Sequence, residues 1–292
     1  MTGLWQVAAL IALMALIGGC DQRRDSADDG PVTGSVTNAA REPENPIELA
    51  RVWSAEDPAP MAGAPCIEPS ADSSDALALT DIDLPVRLFL GSGVPAAELR
   101  AETDGARAYL AHYGLRLRAL SATEVAMDVA IAGGGRAGPG ASVAGGPEQA
   151  IQRAVAPMRA FMTEHALPEA GWVNIVLLSR VVQPSSLMAR YLQGVVGLAL
   201  SPHGQADESA AALHSALGLE RYTPTVFLSL EDLRSARPGH RQTTLAHELG
   251  HALGLPHSDG RTALMATARR ADCVPRLRAG ELAQMRAVLA AR

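Results

Sequence analysis

The spacing of hydrophobic residues alternates along the chain between a period of two, typical of strands, and a period near 3.6, typical of helices. Strand-like runs come before helical segments, and this order predicts an α/β (α+β) fold. The predicted strands are 85–90, then 115–120 or 125–132 as the second strand, 172–178 and 225–230, and the predicted helices are 95–113, 148–165 and 279–292. Because residues 172–178 are almost continuously apolar, we expect this strand to be covered on both faces at the centre of the sheet.

One stretch near the C-terminus combines helical apolar spacing with three histidines. His247 and His251 are four residues apart, so both imidazoles leave the same face of a helix. Gly254 allows the chain to leave the helix through a left-handed conformation, and the turn can bring His257 back to the same point. Three imidazoles suit zinc and leave a fourth position for water, as in catalytic sites. Glu248, beside the first ligand, is at the position of a general base.

A polar stretch, 234–241, precedes this helix and is predicted to form a turn. Thr243 and Thr244 follow it, and either hydroxyl could accept a hydrogen bond from a free N–H group of the first helical turn. We therefore expect the helix to begin at one of these threonines.

The sequence HELGHALGLPH at 247–257, followed by Ala263-Leu264-Met265, resembles the metzincin signature with its Met-turn and is most similar to the matrixins. A bare HExxH motif occurs by chance, whereas the longer form with a spaced methionine is specific. The resemblance implies a zincin-like domain with a twisted, mostly parallel sheet and an antiparallel edge strand. It also implies one catalytic Zn²⁺ held by the three histidines, with Met265 supporting the floor beneath the metal.

The same resemblance places an edge strand beside the active-site cleft at residues 195–201, where Gly197, Leu198 and Ala199 would contact substrate. An exposed edge has unpaired N–H and C=O groups, so an extended peptide can bind there as an additional strand. We expect a protein or peptide substrate and a monomeric protein.

The implied function is that of a zinc-dependent endopeptidase, in which zinc and Glu248 activate water for attack on the peptide bond. Two alternatives remain open. The chain could be a non-catalytic or latent peptide-binding lipoprotein on the same fold, or a specialised zinc hydrolase of cell-envelope peptides. Substrate choice depends on loops and pockets, so the sequence does not decide between them.

Matrixins carry structural zinc and calcium ligands after the edge strand. The corresponding stretch of this chain, 202–225, contains His203, Asp207 and His214, but it does not reproduce the family's ligand pattern. No second zinc site is therefore expected, and a structural calcium site is not readable from the sequence.

The N-terminus predicts export. Leu4–Ile17 is an apolar run, too short to span a membrane and typical of a signal-peptide core. It is followed by Gly18-Gly19-Cys20, which resembles a bacterial lipobox, so residues 1–19 are predicted to be a signal peptide and Cys20 the lipidated N-terminus. Ordinary secretion is the alternative.

Beyond Cys20, residues 20–83 are rich in polar residues and proline and lack a sustained period, which is typical of a flexible tether. The protease-like domain is then 84–292, anchored to a membrane of the cell envelope through the lipid. The leaflet stays open, and the stretch near Cys66 could pack on the domain.

Composition argues against nucleic acid as a partner. The net charge is −6, and the 25 basic residues, all arginine, are spread along the chain. A nucleic-acid-binding surface needs clustered positive charge, so none is expected here.

The two remaining cysteines, Cys66 and Cys273, are most simply a disulfide, because an even pair in an exported protein is usually oxidised. The matrixin resemblance offers an alternative, since matrixin pro-segments silence the zinc with a cysteine thiolate. Residues 64–69, Ala-Pro-Cys-Ile-Glu-Pro, lack the arginine, glycine and aspartate of that switch, which favours the disulfide.

Overall fold

The computed structural model describes residues 45–58, 61, 63–66, 81–133, 152–166, 171–184, 196–202, 222–236, 238–267, 269 and 272–291. The strands in these ranges are β1 (Asn45–Pro46), β2 (Ile82–Gly91), β3 (Leu115–Val125), β4 (Val129–Ile131), β5 (Val173–Leu178), β6 (Arg180–Val182), β7 (Gly197–Leu200) and β8 (Thr225–Ser229). The helices are α1 (Leu49–Val52), α2 (Ala96–Ala111), α3 (Ala156–His165), α4 (Leu230–Ser235), α5 (Pro238–Ala252) and α6 (Ala279–Ala290). No helix in the described ranges is long and apolar enough to cross a membrane.

The main sheet has six strands in the order β1-β3-β2-β5-β8-β7. The four inner strands are parallel to one another, and β1 and β7 pair antiparallel at the two edges. Every residue of β5 is buried, as expected for a central parallel strand with both faces covered. The predicted fold class, a mostly parallel sheet with an antiparallel edge strand, is confirmed.

Helices cover both faces of the sheet. On β2, Leu88 and Leu90 pack in one core cluster with apolar residues of α2 and α5, such as Leu249. Phe89 points to the opposite face, where it packs with α3 and the small parallel pair β4-β6. This alternation follows the period-two geometry of a strand and fixes α5, which carries the histidines, on one face of the sheet.

Residues 45–58 lie inside the predicted tether, yet they pack on the domain. β1 pairs with the edge of β3, and Val52 is fully buried in the core cluster beside α2. Trp53 stacks on the Arg107 guanidinium at 4.5 Å, and this guanidinium also donates to the Ser54 carbonyl. A few apolar residues are enough to order this otherwise polar stretch, because α2 and β3 offer partners for them and for the backbone. The predicted tether is 20–83, with the domain beginning at residue 84. This boundary needs correction, because residues 45–58 pack as part of the domain.

The predicted turn at 234–241 is also wrong, because α4 and α5 occupy most of this stretch. α5 begins at Pro238, a residue favoured at the start of helices, so Thr243 and Thr244 lie inside the helix and do not cap it. The polar residues here bind another helix: Arg241 donates to Glu98 and Glu102 of α2, each at 2.8 Å. Charged residues that pair across two helices look like a solvated turn when only the sequence is considered.

Candidate metal centre

The three histidines are assembled by α5 and the turn that follows it. His247 and His251 are one helical turn apart on α5. Gly254 has a φ of 86°, the N–H of Gly254 donates to the His251 carbonyl, and the N–H of Leu255 donates to the Gly250 carbonyl. This pair of hydrogen bonds is a Schellman motif, which ends the helix and reverses the chain so that His257 returns to the other two rings.

The Nε2 atoms of the three rings converge. His251 Nε2 lies 3.2 Å from His247 Nε2 and 3.1 Å from His257 Nε2. Three nitrogens at zinc–nitrogen bond lengths in tetrahedral geometry would be about 3.3 Å apart. The spacing therefore fits a single zinc ion, and among the described residues these histidines form the group that could hold a metal.

Backbone carbonyls set the orientation of two of the rings. His247 Nδ1 donates to the Leu264 carbonyl at 2.6 Å, and His251 Nδ1 donates to the Leu255 carbonyl at 2.7 Å. Because a carbonyl only accepts, Nδ1 carries the proton and Nε2 presents its lone pair to the metal position. Burial, with a smaller effect of the Arg269 charge, lowers the pKa of His247 well below its ordinary value, so this ring is neutral. The donor set fits zinc.

Glu248 projects from α5 towards strand β7. Its side chain is 5% exposed, and an added Cβ on Gly197 would lie 2.5–2.7 Å from its Cγ, Cδ and Oε1 atoms. Burial raises the pKa of this carboxyl to about 7, while the Arg269 charge acts in the opposite direction. The carboxylate is outside the ligand group and lies against Gly197 of the edge strand.

Substituting Gly197 with alanine tests this close approach. The added methyl cannot coexist with the present position of Glu248, so the carboxylate has to shift. We expect the rate of peptide hydrolysis to fall by about 10- to 100-fold, as for an angstrom-scale misplacement of a catalytic group. Zinc content should not change, because the three atoms nearest to the added methyl all belong to Glu248, which is outside the ligand group.

A matched control is Gly280→Ala, where the added methyl meets nothing within 4 Å. Full activity in Gly197→Ala, measured beside this control, would show that Glu248 does not need its present position.

Met265 packs against α5, the helix that carries two of the histidines. Its side chain is fully buried, and its carbonyl accepts a hydrogen bond from the Ser258 N–H at 2.9 Å, beside His257. An added Cβ on Gly250 would lie 2.5 Å from Met265 Sδ, so the methionine packs closely against α5 between the two helical histidines.

The predicted edge strand is found at β7, within the expected 195–201. Leu198 faces the core, whereas Gly197 and Ala199 are partly exposed. Its inner side pairs with β8, and Ser201 Oγ donates to the Ala252 carbonyl at the end of α5. β7 is thus fixed beside the helix that carries the histidines, with its other side at the edge of the sheet.

Arg269 was not identified from the sequence, although it lies near the metal centre. It is 8% exposed, and its guanidinium donates to the carbonyl and the hydroxyl of Thr243, at 3.1 Å and 2.8 Å. Thr243 is one helical turn before His247, so a buried positive charge stands close to the first ligand and to Glu248. No spacing rule identifies such a residue, because its role depends on how the segment after Met265 folds back.

The remaining predicted site residues lie elsewhere. Cys66 and Cys273 form a disulfide with their Cα atoms 5.0 Å apart, so Cys66 is not a zinc ligand in this structure. Cys20 and the histidines at 203 and 214, together with Asp207, lie outside the described residues.

Comparison with known proteins identifies the segment that carries this centre. Residues 232–278 match the Matrixin family model. Metalloproteinase-II from Bacteroides fragilis is similar in structure, with a TM-score of 0.41 and 13% sequence identity over 84% of this chain, which spans 57% of that structure's length. No curated protein sequence matches the chain. The family match contains all three histidines, Glu248 and Met265, so the candidate metal centre lies within a segment that is similar to the matrixins.

Proposed function

We propose that the protein is a zinc-dependent endopeptidase that hydrolyses peptide bonds in extended polypeptides. The observation that carries this proposal is the position of Glu248, which follows the first of three convergent histidines on α5 and whose carboxylate lies against Gly197 of the edge strand β7. A purely structural zinc site would need a fourth protein ligand, and the described residues place three there.

His247, His251 and His257 would hold the zinc, which, when bound, supplies the Lewis acidity that activates water and polarises the scissile carbonyl. Glu248 accepts the proton of the attacking water and passes it to the leaving amine. The backbone of Gly197–Ala199 pairs with the substrate and holds it extended across the three histidines. The Leu264 and Leu255 carbonyls keep two of the imidazoles in the ligand tautomer.

Incubating the protein with an unfolded protein such as reduced, alkylated casein tests this function. We expect many internal cuts, detected as new peptide termini by mass spectrometry, and their loss after treatment with 1,10-phenanthroline. Addition of Zn²⁺ should restore cleavage. A zinc-loaded protein that cuts neither casein nor a library of extended peptides would contradict a general endopeptidase. Cleavage of cell-wall crosslinking peptides alone would instead favour the specialised hydrolase.

We also propose that the protein is exported and anchored to a membrane through a lipid on Cys20. The Cys66–Cys273 disulfide supports an oxidising compartment, because such bonds are rare in the cytosol. We expect Cys20→Ser to move the protein from the detergent phase to the aqueous phase in a phase-partition experiment. Aqueous partitioning of both proteins would contradict the anchor, and ordinary secretion would then be favoured.

A further inference from the structure

A short N-terminal segment, residues 64–66, is bound to the chain that follows the Met-turn; we call it the clamp. The Cys66 N–H donates to the Val274 carbonyl at 2.8 Å, and the Val274 N–H donates to the Ala64 carbonyl at 2.9 Å. The disulfide between Cys66 and Cys273 secures the same contact, and Cys66 is 1% exposed. The clamp therefore forms a covalently fixed, strand-like pair with residues 273–274, in which Cys66 is the buried residue.

The next residues pair with the Met-turn itself. The Arg276 N–H donates to the Thr262 carbonyl, and the Leu264 N–H donates to the Arg276 carbonyl, both at 2.7 Å. Helix α2 holds this segment from the other side, since the Tyr109 hydroxyl donates to the Pro275 carbonyl at 3.0 Å. Residues 274–276 are thus fixed between the clamp and the turn that contains Leu264.

Leu264 connects this arrangement to the metal centre. Its N–H is bound to Arg276, and its carbonyl accepts the Nδ1 proton of His247 at 2.6 Å. Outer partners of this kind fix the orientation of a metal-binding imidazole. The path from Cys66 to His247 contains a disulfide and a short series of backbone hydrogen bonds, all among described residues.

We propose that the clamp and the Cys66–Cys273 disulfide are positioning elements for His247. Zinc retention then depends on a disulfide in which one cysteine, Cys66, is distant in sequence from the three histidines. The inference rests on the zinc site of the proposed function. It makes residues 64–66 part of the metal centre's support, in place of a removable or silencing pro-segment. Loss of the disulfide should loosen residues 273–276, and with them the carbonyl that orients His247.

The test compares zinc release from the wild type and from the double variant Cys66→Ala/Cys273→Ala. Both are loaded with zinc and mixed with excess chromophoric chelator, at a temperature where near-ultraviolet circular dichroism shows both folded. We expect zinc release to be about tenfold faster in the double variant. Loss of a group that hydrogen-bonds to a metal ligand typically costs about 10- to 100-fold in metal affinity, and the expected effect is at the lower end of this range.

Val52→Ala is the matched control. Val52 is fully buried in the N-terminal segment, but it makes none of the hydrogen bonds between Cys66 and His247, so its truncation lowers thermal stability while those bonds stay in place. We expect its zinc release to stay within about twofold of wild type, against the tenfold effect of a lost outer partner. Equal release from wild type and double variant, or equal acceleration in Val52→Ala at a similar thermal midpoint, would overturn the inference.

Tyr109→Phe decides the question if the double variant does not fold, because it keeps the disulfide and removes only the hydroxyl that holds Pro275. We expect zinc release to be about threefold faster than in the wild type, a smaller effect than removal of a group that binds the metal-ligating imidazole directly. An unchanged rate of zinc release would overturn the inference. A wild-type protein that binds no zinc would overturn this inference together with the proposed function. Zinc-dependent cleavage with unchanged release in the variants would overturn the inference alone.

Discussion

Replacing Glu248 with glutamine is expected to abolish peptide hydrolysis while one zinc ion stays bound. Glutamine has almost the same size, so it fills the space between α5 and Gly197 without a clash. Its amide cannot accept the proton of the attacking water, and loss of a general base lowers the rate by about 10²–10⁴-fold. The measurements are the turnover number on a fluorogenic peptide and the zinc content of the same sample.

Glu231→Gln is a suitable control for this variant. Glu231 lies on α4, pairs with Arg180 at the surface, and is not part of the ligand group. It should keep wild-type turnover. Wild-type turnover in Glu248→Gln would show that another group handles the proton and would remove Glu248 from the mechanism.

Replacing His251 with alanine is expected to remove both zinc and activity. His251 Nε2 is the atom that lies within 3.2 Å of each of the other two Nε2 atoms, so it is central to the group. Loss of an outer partner alone costs about 10- to 100-fold in metal affinity, and loss of a direct ligand should cost more. The measurement is metal content by mass spectrometry after gel filtration, with turnover of the same fraction.

His112→Ala is the control for histidine loss, because His112 is exposed at the end of α2 and takes no part in the ligand group. It should bind one zinc ion per chain. Full zinc occupancy in His251→Ala would mean that other residues hold the metal.

Spacing along one helix was enough to predict the centre of the site. The i, i+4 histidines and the glycine-mediated exit depend only on local helix geometry and on the left-handed conformation of Gly254. The central strand could be predicted as well, since a continuous apolar run is typical of burial on both faces. These features are local, so a single sequence contains them.

Features that depend on distant partners were not predictable in the same way. The ordering of Val52 requires the surface of α2, and the helical start of α5 relies on ion pairs between Arg241 and α2. Arg269 and the Leu264 carbonyl become part of the metal centre only after the chain folds back beneath α5. Hydrophobic periodicity contains no information on such pairings.

X-ray absorption spectroscopy at the zinc edge reports directly whether three imidazoles of this chain hold one zinc ion. The sample is the wild-type protein purified without added metal, with its zinc content measured in parallel. We expect one zinc per chain, with nitrogen and oxygen donors at about 2.0–2.1 Å, an imidazole scattering pattern and no sulfur. Absence of zinc, or a sulfur donor at about 2.3 Å, would contradict it.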